Sequence, residues 1–328
     1  MRRVLSEFGD GIHVVDSGFF RPRLDAIHLI VERGRVAIVD TGVNDSVPRV
    51  FEALAGLGLG PESVDWVVLT HVHLDHAGGA GLLMSRLPAA RLLVHPRGAR
   101  HMIDPARLMA GTVAVYGAEA ARQMYGEIVP VPAERVVEAP DGFAIELAGR
   151  RLEAIDTPGH AKHHLCLVDR KAGIVFAGDT FGLSYRELDQ GDRQFVVPST
   201  TPVQFDPPAL HASIDRIAAL QPRAVALTHF GPVGDVPRLA ADLHRQIDAM
   251  VALGRDCAAR LGDAAAAPAH GVPTEALREC LRDGMRELIF TEARRQGWTA
   301  DEAELQRIFT LDIGLNADGL AAWLSGQG

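Results

Sequence analysis

The sequence has few of the features that mark secreted or membrane-spanning proteins. Cys166, Cys257 and Cys280 are the only cysteines among 328 residues. They are widely spaced and form no CxxC pair, so a disulfide framework is not expected and a reducing compartment fits. No apolar run approaches the length of a membrane span. The first residues include two arginines but no apolar segment typical of a signal peptide, so we expect a cytoplasmic protein.

An excess of basic residues is also missing. The formal net charge is -9 at pH 7, whereas non-specific nucleic-acid binding and attraction to anionic membranes both depend on basic surface. The sequence therefore favours a small-molecule substrate over a nucleic acid or a membrane. The hydrophobic content of 47% and the chain length are sufficient for a sizeable core.

Six short apolar runs share one feature, because each leads directly into a histidine or an aspartate. The runs are rich in Val, Ile and Leu and are bounded by Gly, Pro or Thr, which is typical of buried strands. The polar residues at or just after their ends are Asp40, His71, His95, Asp156 with His160, Asp179 and His229. If the runs end at the same edge of a sheet system, their loops converge on one site.

Amphipathic helical segments alternate with these runs, which predicts the α/β class. Asp206 and Pro207 have the residue types of an N-cap and a first helical position. Strand signals cease further along the chain, and we expect Thr274 to cap a second helix of the tail. We predict a catalytic domain over residues 1–237 and a helical region over residues 238–328.

Three segments depart from the alternation. Residues 97–132 contain methionines and tyrosines in a mostly helical stretch, which is more often core than substrate wall. Residues 181–208 show little periodicity, and a long loop inside a compact domain is usually functional or disordered. Residues 263–271, DAAAAPAHG, have the composition of a linker.

The sequence THVHLDH concentrates three imidazoles and one carboxylate at the end of an apolar run. Side chains alternate along an extended chain, so we expect His71, His73 and Asp75 to face one way. His76 faces elsewhere if the chain turns there. One metal ion cannot comfortably take all four ligands from so short a segment, but two adjacent ions can. Imidazole and carboxylate suit zinc, iron or manganese.

This segment resembles the HxHxDH motif of the metallo-β-lactamase superfamily. Further motifs follow the order of that family, namely VDTG at Asp40, TPGH at His160, GDT at Asp179 and LTHFGP at His229. The resemblance covers roughly the first 235 residues. It implies a four-layer αββα sandwich with the site at one edge, here followed by a C-terminal helical extension.

The resemblance also assigns the motif residues to two divalent metal ions, with zinc preferred and iron or manganese as alternatives. The residues implied for the first ion are His71, His73 and His160. Those implied for the second ion are Asp75, His76 and His229. Asp179 would bridge the two ions, and Asp40 would support the ligands from behind.

Other histidines receive different expectations. His164 matches a position at which the family often has a further histidine, and we expect it to have a structural hydrogen-bonding role. We expect His163 to be solvated. His95 either lies near the site or caps a strand. Histidines outside the motifs, including His211 and His244, are taken as ordinary.

Two such ions can share a water molecule and lower its pKa to about 7. The resulting metal-bound hydroxide would attack a carbonyl or phosphoryl centre, with Asp75 and Asp179 as the catalytic carboxylates. The intact His73 argues against the flavodiiron branch, and the full ligand set argues against the one-iron persulfide dioxygenase branch. Glyoxalase II enzymes and a quorum-signal thioesterase are similar, the first in motifs and helical tail and the second in length and tail.

The favoured function is therefore hydrolysis of a small acyl compound, either a thioester or a lactone. A phosphodiesterase that uses the same site is one alternative, and a regulatory or interaction protein that retains the site is another. Tyr185 and Gln204, in the long loop after Asp179, are substrate candidates. The C-terminal helices have apolar faces that must be buried, so we expect them to narrow access to the metals or to form a homodimer contact.

Overall fold

The computed structural model describes residues 5–200, 203–262 and 273–326. The chain divides into two compact units. The first comprises Met1–Asp156, His163–Gly178 and Pro222–Gly234, and the second comprises Thr157–Lys162, Asp179–Gln221 and Asp235–Gly328. The predicted linker at residues 263–271 lies outside the described residues. The domain boundary after residue 237 stays a prediction.

Two mixed β-sheets form the framework of the first unit. The strands of the first sheet lie in sequence order and are β1 (Leu5–Gly9), β2 (Ile12–Asp16), β3 (Ala26–Glu32), β4 (Arg35–Val39), β5 (Val64–Val68), β6 (Arg91–Val94) and β7 (Val136–Glu138). The strands of the second sheet are β8 (Ala144–Leu147), β9 (Arg150–Asp156), β10 (Leu165–Asp169), β11 (Ile174–Gly178), β12 (Ala224–Leu227) and β13 (Gly231–Val233). All six runs that the sequence predicts as strands are strands.

The two sheets pack face to face through a shared apolar core. This core includes Ile30, Val39 and Val68 from the first sheet and Leu167 and Phe176 from the second. The opposite face of the first sheet is also covered by apolar side chains, as expected for parallel strands that are buried on both sides. The predicted α/β sandwich is therefore confirmed.

The register of the strands brings the polar residues that follow neighbouring strands to the same edge of the sheet. β4 and β5 are parallel, and Val39 pairs with Val68, so Asp40 and the residues after Val68 leave the sheet at the same edge. β11 and β12 are also parallel, and Gly178 pairs with Leu227. The carboxyl ends of parallel strands are where α/β folds commonly place their sites.

Six helices are described in the first unit. They are α1 (Val47–Gly56), α2 (Leu74–Ala77), α3 (Ala80–Ser85), α4 (Pro96–Ile103), α5 (Ala106–Tyr116) and α6 (Ala118–Tyr125). Val50 and Leu54 of α1 are buried in the apolar core that covers the outer face of the first sheet.

The described residues of the second unit contain four α-helices and the long loop that follows Asp179. Its helices are α7 (Pro207–Ala219), α8 (Val236–Leu261), α9 (Glu275–Gln296) and α10 (Glu302–Leu324). Both predicted N-caps are confirmed, because the Asp206 carboxylate accepts from the Ala209 amide at 3.1 Å and the Thr274 hydroxyl accepts from the Leu277 amide at 3.3 Å. The loop after Phe181 is packed rather than exposed, since Tyr185 and Phe195 are buried.

Two features of the structure concern the cellular compartment of the protein, namely a disulfide and the hydropathy of the helices. Cys257 of α8 and Cys280 of α9 form a disulfide, with their Cα atoms 6.0 Å apart. The expectation from sequence spacing was wrong, because two packed helices bring together cysteines that lie far apart in the chain. The argument from cysteine for a reducing compartment is thereby lost. None of the described helices is apolar over a stretch long enough to cross a lipid bilayer.

Candidate metal centre

A buried carboxylate, Asp40, organises the first part of the site. It follows β4 and accepts hydrogen bonds from the Thr70 amide at 2.8 Å, from the Thr70 hydroxyl at 2.9 Å and from the Thr228 hydroxyl at 2.7 Å. Its Oδ2 also lies 2.9 Å from Nδ1 of His76. A carboxylate in this position fixes both the tautomer and the ring orientation of a metal-binding imidazole. Asp40 therefore directs Nε2 of His76 away from itself.

A second buried carboxylate, Asp25, acts on His229 in the same way. Its Oδ1 lies 2.7 Å from Nδ1 of His229. Burial raises the pKa of the Asp25 carboxyl, and the neighbouring His229 imidazole opposes that rise. Sequence reasoning missed Asp25, because it stands alone before β3 in no recognisable motif. The fold brings Asp25 to His229 because the start of β3 lies beside the end of β12. At that place the Ala26 amide donates to the Thr228 carbonyl at 2.7 Å.

These two supports aim a pair of imidazole nitrogens at Asp75. Oδ2 of Asp75 lies 3.5 Å from Nε2 of His76 and 3.5 Å from Nε2 of His229. Two atoms bound at about 2.0–2.2 Å to one tetrahedral ion lie about 3.4 Å apart. The donor types and their spacing therefore fit a divalent transition metal held by Asp75, His76 and His229.

His71 and His73 lie at the end of the extended segment that follows β5. Nε2 of His71 lies 2.9 Å from Nδ1 of His73. The expectation that Asp75 continues the alternation of these two histidines is wrong, because α2 begins at Leu74 and turns Asp75 into its first helical turn. The helix instead places Asp75 beside His76.

His163 and His164 pack around His71. The His164 ring stacks on the His71 ring with their centroids 4.9 Å apart. His163 is buried rather than solvated, contrary to expectation, and its Nδ1 accepts from the Val72 amide at 3.4 Å. Gly178 makes room for this packing, since a Cβ there would lie 2.7 Å from Nε2 of His164.

The second unit contains the remaining two predicted ligands. Nε2 of His160 lies 3.5 Å from Oδ2 of Asp179, the same spacing that occurs around Asp75. Nδ1 of His160 lies 3.3 Å from the Ser199 carbonyl oxygen, which suits a donated hydrogen bond. A backbone carbonyl in this position orients a ligand imidazole as a carboxylate does.

Three other candidates have defined contacts. Nδ1 of His95 accepts from the Arg97 amide at 3.0 Å, which caps α4, while its Nε2 lies 3.1 Å from Asp156. The Tyr185 hydroxyl donates to Asp312 of α10 at 2.9 Å. Oε1 of Gln204 accepts from the Lys162 amide at 2.6 Å. The substrate roles of Tyr185 and Gln204 stay predictions.

An apolar cluster adjoins Asp75 in the first unit. Leu74, the residue before Asp75, packs with Tyr125 and Ile128, and Met124 and Tyr116 pack against them. Burial raises the pKa of the Tyr125 phenol, and the Asp75 carboxylate adds to that rise. Tyr125 is therefore a neutral hydroxyl within electrostatic reach of Asp75. Among the methionines and tyrosines of residues 97–132, Met102 and Tyr125 are buried as expected, whereas Met109, Tyr116 and Met124 are only partly buried.

Comparison with known proteins shows to which family the chain belongs. The model of the metallo-beta-lactamase superfamily matches residues 22–229. A metallo-beta-lactamase fold-containing protein of Sulfurisphaera tokodaii is 27% identical over 234 residues, which cover 68% of this chain and 79% of that protein. A hydroxyacylglutathione hydrolase of Aeromonas hydrophila is 32% identical over 195 residues, which cover 59% of this chain and only 56% of that enzyme.

Solved structures agree on the fold. A metallo-beta-lactamase family protein of Thermus thermophilus superposes with a TM-score of 0.64 at 22% identity, covering 96% of this chain and 93% of that protein. The family model spans both β-sheets from β3 to the end of β12 and includes the motifs from Asp40 to His229. The chain belongs to the metallo-beta-lactamase superfamily, as its motifs predict.

Proposed function

We propose that this protein uses two divalent metal ions, preferably zinc, to hydrolyse a small acyl compound, either a thioester or a lactone. The observation that carries the proposal is the set of Asp75, His76 and His229. Its donor atoms have the spacing of ligands around one ion, and a buried carboxylate holds the other nitrogen of each imidazole.

The proposed ligands of the first ion are three histidines, with Asp179 shared between the ions, while Asp75, His76 and His229 are the proposed ligands of the second. The three histidines of the first ion are His71, His73 and His160. When bound, the ions would supply a water molecule of lowered pKa and stabilise negative charge on the carbonyl oxygen. Zinc is proposed because imidazole and carboxylate ligands suit it, with iron or manganese as the alternatives.

The residues of the chain contribute orientation and proton handling. Asp40 and Asp25 keep Nε2 of His76 and His229 available as ligands. The Asp75 side chain is 23% exposed, so it can reach a substrate or water and accept a proton from it. A proton acceptor in reach of the reacting group contributes about 10²–10⁴-fold to the rate of such reactions.

Support for an acyl substrate comes from the surroundings of Asp75. Met124 and Tyr116, which are only partly buried and pack against Leu74, Tyr125 and Ile128, would offer apolar surface to a substrate. The net charge of -9 does not favour a polyanionic substrate. The name of the Aeromonas hydrophila relative describes hydrolysis of an acyl compound of glutathione. A cytoplasmic location and a homodimer contact through α8–α10 remain part of the proposal.

Kinetics on one fully metallated batch test the substrate class. We expect kcat/KM for a small thioester or an acylated lactone to exceed that for bis-p-nitrophenyl phosphate, because the apolar cluster stabilises an acyl group and not a phosphodiester. A clear preference for the phosphodiester would contradict the acyl proposal, but it would not affect the assignment of the metal ligands. Absence of turnover on all three compounds by protein with its full metal content would favour a regulatory or interaction protein.

A further inference from the structure

Helices α7 and α8 share the short pattern LHxxID at the place where they meet. Residues 210–220 read LHASIDRIAAL and residues 243–253 read LHRQIDAMVAL. Each copy places a histidine and an aspartate four residues apart, which puts both side chains on one face of a helix. The leucine and isoleucine of each copy are buried, so the matching histidines and aspartates stand beside the helix contact.

The contacts between the two copies are reciprocal. Nε2 of His211 lies 3.2 Å from Oδ1 of Asp248, and Nε2 of His244 lies 2.9 Å from Oδ1 of Asp215. The planes of the two rings differ by only 16°, their centroids are 4.8 Å apart and their Nδ1 atoms are only 2.5 Å apart, so the rings meet edge to edge. The four side chains thus form a continuous row of aspartate, histidine, histidine and aspartate.

This row favours a positive ion at its centre. A carboxylate accepts hydrogen bonds, so each Nε2 must carry its proton toward the facing aspartate. Two neutral imidazoles of this tautomer would then point the lone pairs of their Nδ1 atoms at each other. Lone pairs repel at 2.5 Å unless a proton or a metal ion lies between them. The two aspartates add negative charge on both sides, which favours either cation.

We propose that His211 and His244 bind one divalent transition metal ion through their Nδ1 atoms, in a site built from residues other than those of the catalytic centre. Asp248 and Asp215 then take the place that Asp40 and Asp25 occupy behind His76 and His229. Carboxylates behind ligand imidazoles are the usual support of such sites. Water molecules complete the coordination, and imidazole ligands select zinc, copper or nickel over magnesium or calcium.

The geometry needs only a small adjustment to accept the ion. Two nitrogens bound at about 2.0–2.1 Å to a tetrahedral ion lie about 3.3 Å apart, so the Nδ1 atoms must separate by somewhat under 1 Å. Both histidine side chains are 27% exposed, and side chains at a surface can make such a shift by small rotations. The bound ion would join α7 to α8.

Zinc binding at equilibrium tests the proposal. We expect wild-type protein dialysed against buffered free zinc to hold one equivalent more than His244→Gln or His211→Gln at saturation. Asp248→Asn should keep both ligands but weaken the additional site by about 10–100-fold, since it removes a supporting carboxylate. Asp256→Asn, an exposed carboxylate on the same helix, is the matched control and should bind as wild type does.

Thermal unfolding provides an independent test of zinc binding between His211 and His244. Added zinc should raise the Tm of wild type and Asp256→Asn more than that of the two histidine variants, because a ligand that binds only the folded state stabilises it. Equal zinc stoichiometry and equal Tm response in wild type, His244→Gln and Asp248→Asn would overturn the proposal. The cation between the rings would then be a proton alone. Neither reading depends on catalytic activity.

Discussion

Replacement of Asp75 by asparagine is expected to lower kcat/KM by more than about 100-fold while leaving the fold intact. Loss of a supporting residue behind a metal ligand typically costs 10–100-fold in affinity or activity, and loss of a ligand should cost more. Asp75 faces both His76 and His229 at 3.5 Å. Asparagine has the same shape but no charge to hold an ion between them and no basic oxygen to accept a proton.

The measurement is steady-state kinetics together with metal content, with circular dichroism as the check on folding. Asp45→Asn is the matched control, because Asp45 is exposed and lies outside the site. Asp179→Asn should resemble Asp75→Asn, since we assign it the bridging position. An Asp75→Asn protein that is folded and retains wild-type kcat/KM and metal content would remove Asp75 from the site.

Replacement of Asp40 by alanine is expected to lower the free energy of unfolding by about 3–5 kcal/mol, because several buried hydrogen-bond donors would lose one shared acceptor. Thr70 and Thr228 would lose their acceptor, and each buried donor left without a partner costs about 1–3 kcal/mol. His76 would also lose the carboxylate that orients it. Metal affinity should fall by about 10–100-fold in consequence.

Urea unfolding of metal-free protein measures the loss of stability, because bound ions would otherwise add their own stabilisation to the wild type. Asp45→Ala is the control for loss of a carboxylate at an exposed position, where changes usually stay within about 0.5 kcal/mol. A decrease below about 1 kcal/mol for Asp40→Ala would mean that the threonines and His76 find other partners and that Asp40 does not organise the site.

The sequence predicted much of the strand framework because the buried strands carry a continuous apolar signal. β4, β5 and β12 are such runs, and each leads into a site residue. The order of the motifs also predicted that Asp40 supports the ligands, among them His76. Local signals sufficed here, because a strand and the residue that ends it are neighbours in the chain.

What the sequence did not predict depends on contacts between distant segments. Asp25 supports His229 across about two hundred residues of chain, and nothing in its neighbours indicates this. Cys257 and Cys280 form a disulfide only because α8 packs on α9. His163 is buried by the residues around His71, although its position in the chain resembles a solvated loop.

The contact between α7 and α8 is another feature that depends on segments distant in the chain. His211 and His244 are ordinary surface histidines when each helix is considered alone. The repeated pattern LHxxID is visible in the sequence, but it gains meaning only when the two copies face each other.

Elemental analysis of the His244→Gln variant tests the central claim most directly. This variant lacks the proposed site between α7 and α8, so the metal that it retains after reconstitution with zinc and dialysis reports on the catalytic centre alone. Two equivalents per chain are expected, because seven donor residues match the ligand order of two ions, and His229→Ala in the same background should retain about one. One equivalent or less, after reconstitution with zinc, iron and manganese in turn, would contradict the dinuclear centre.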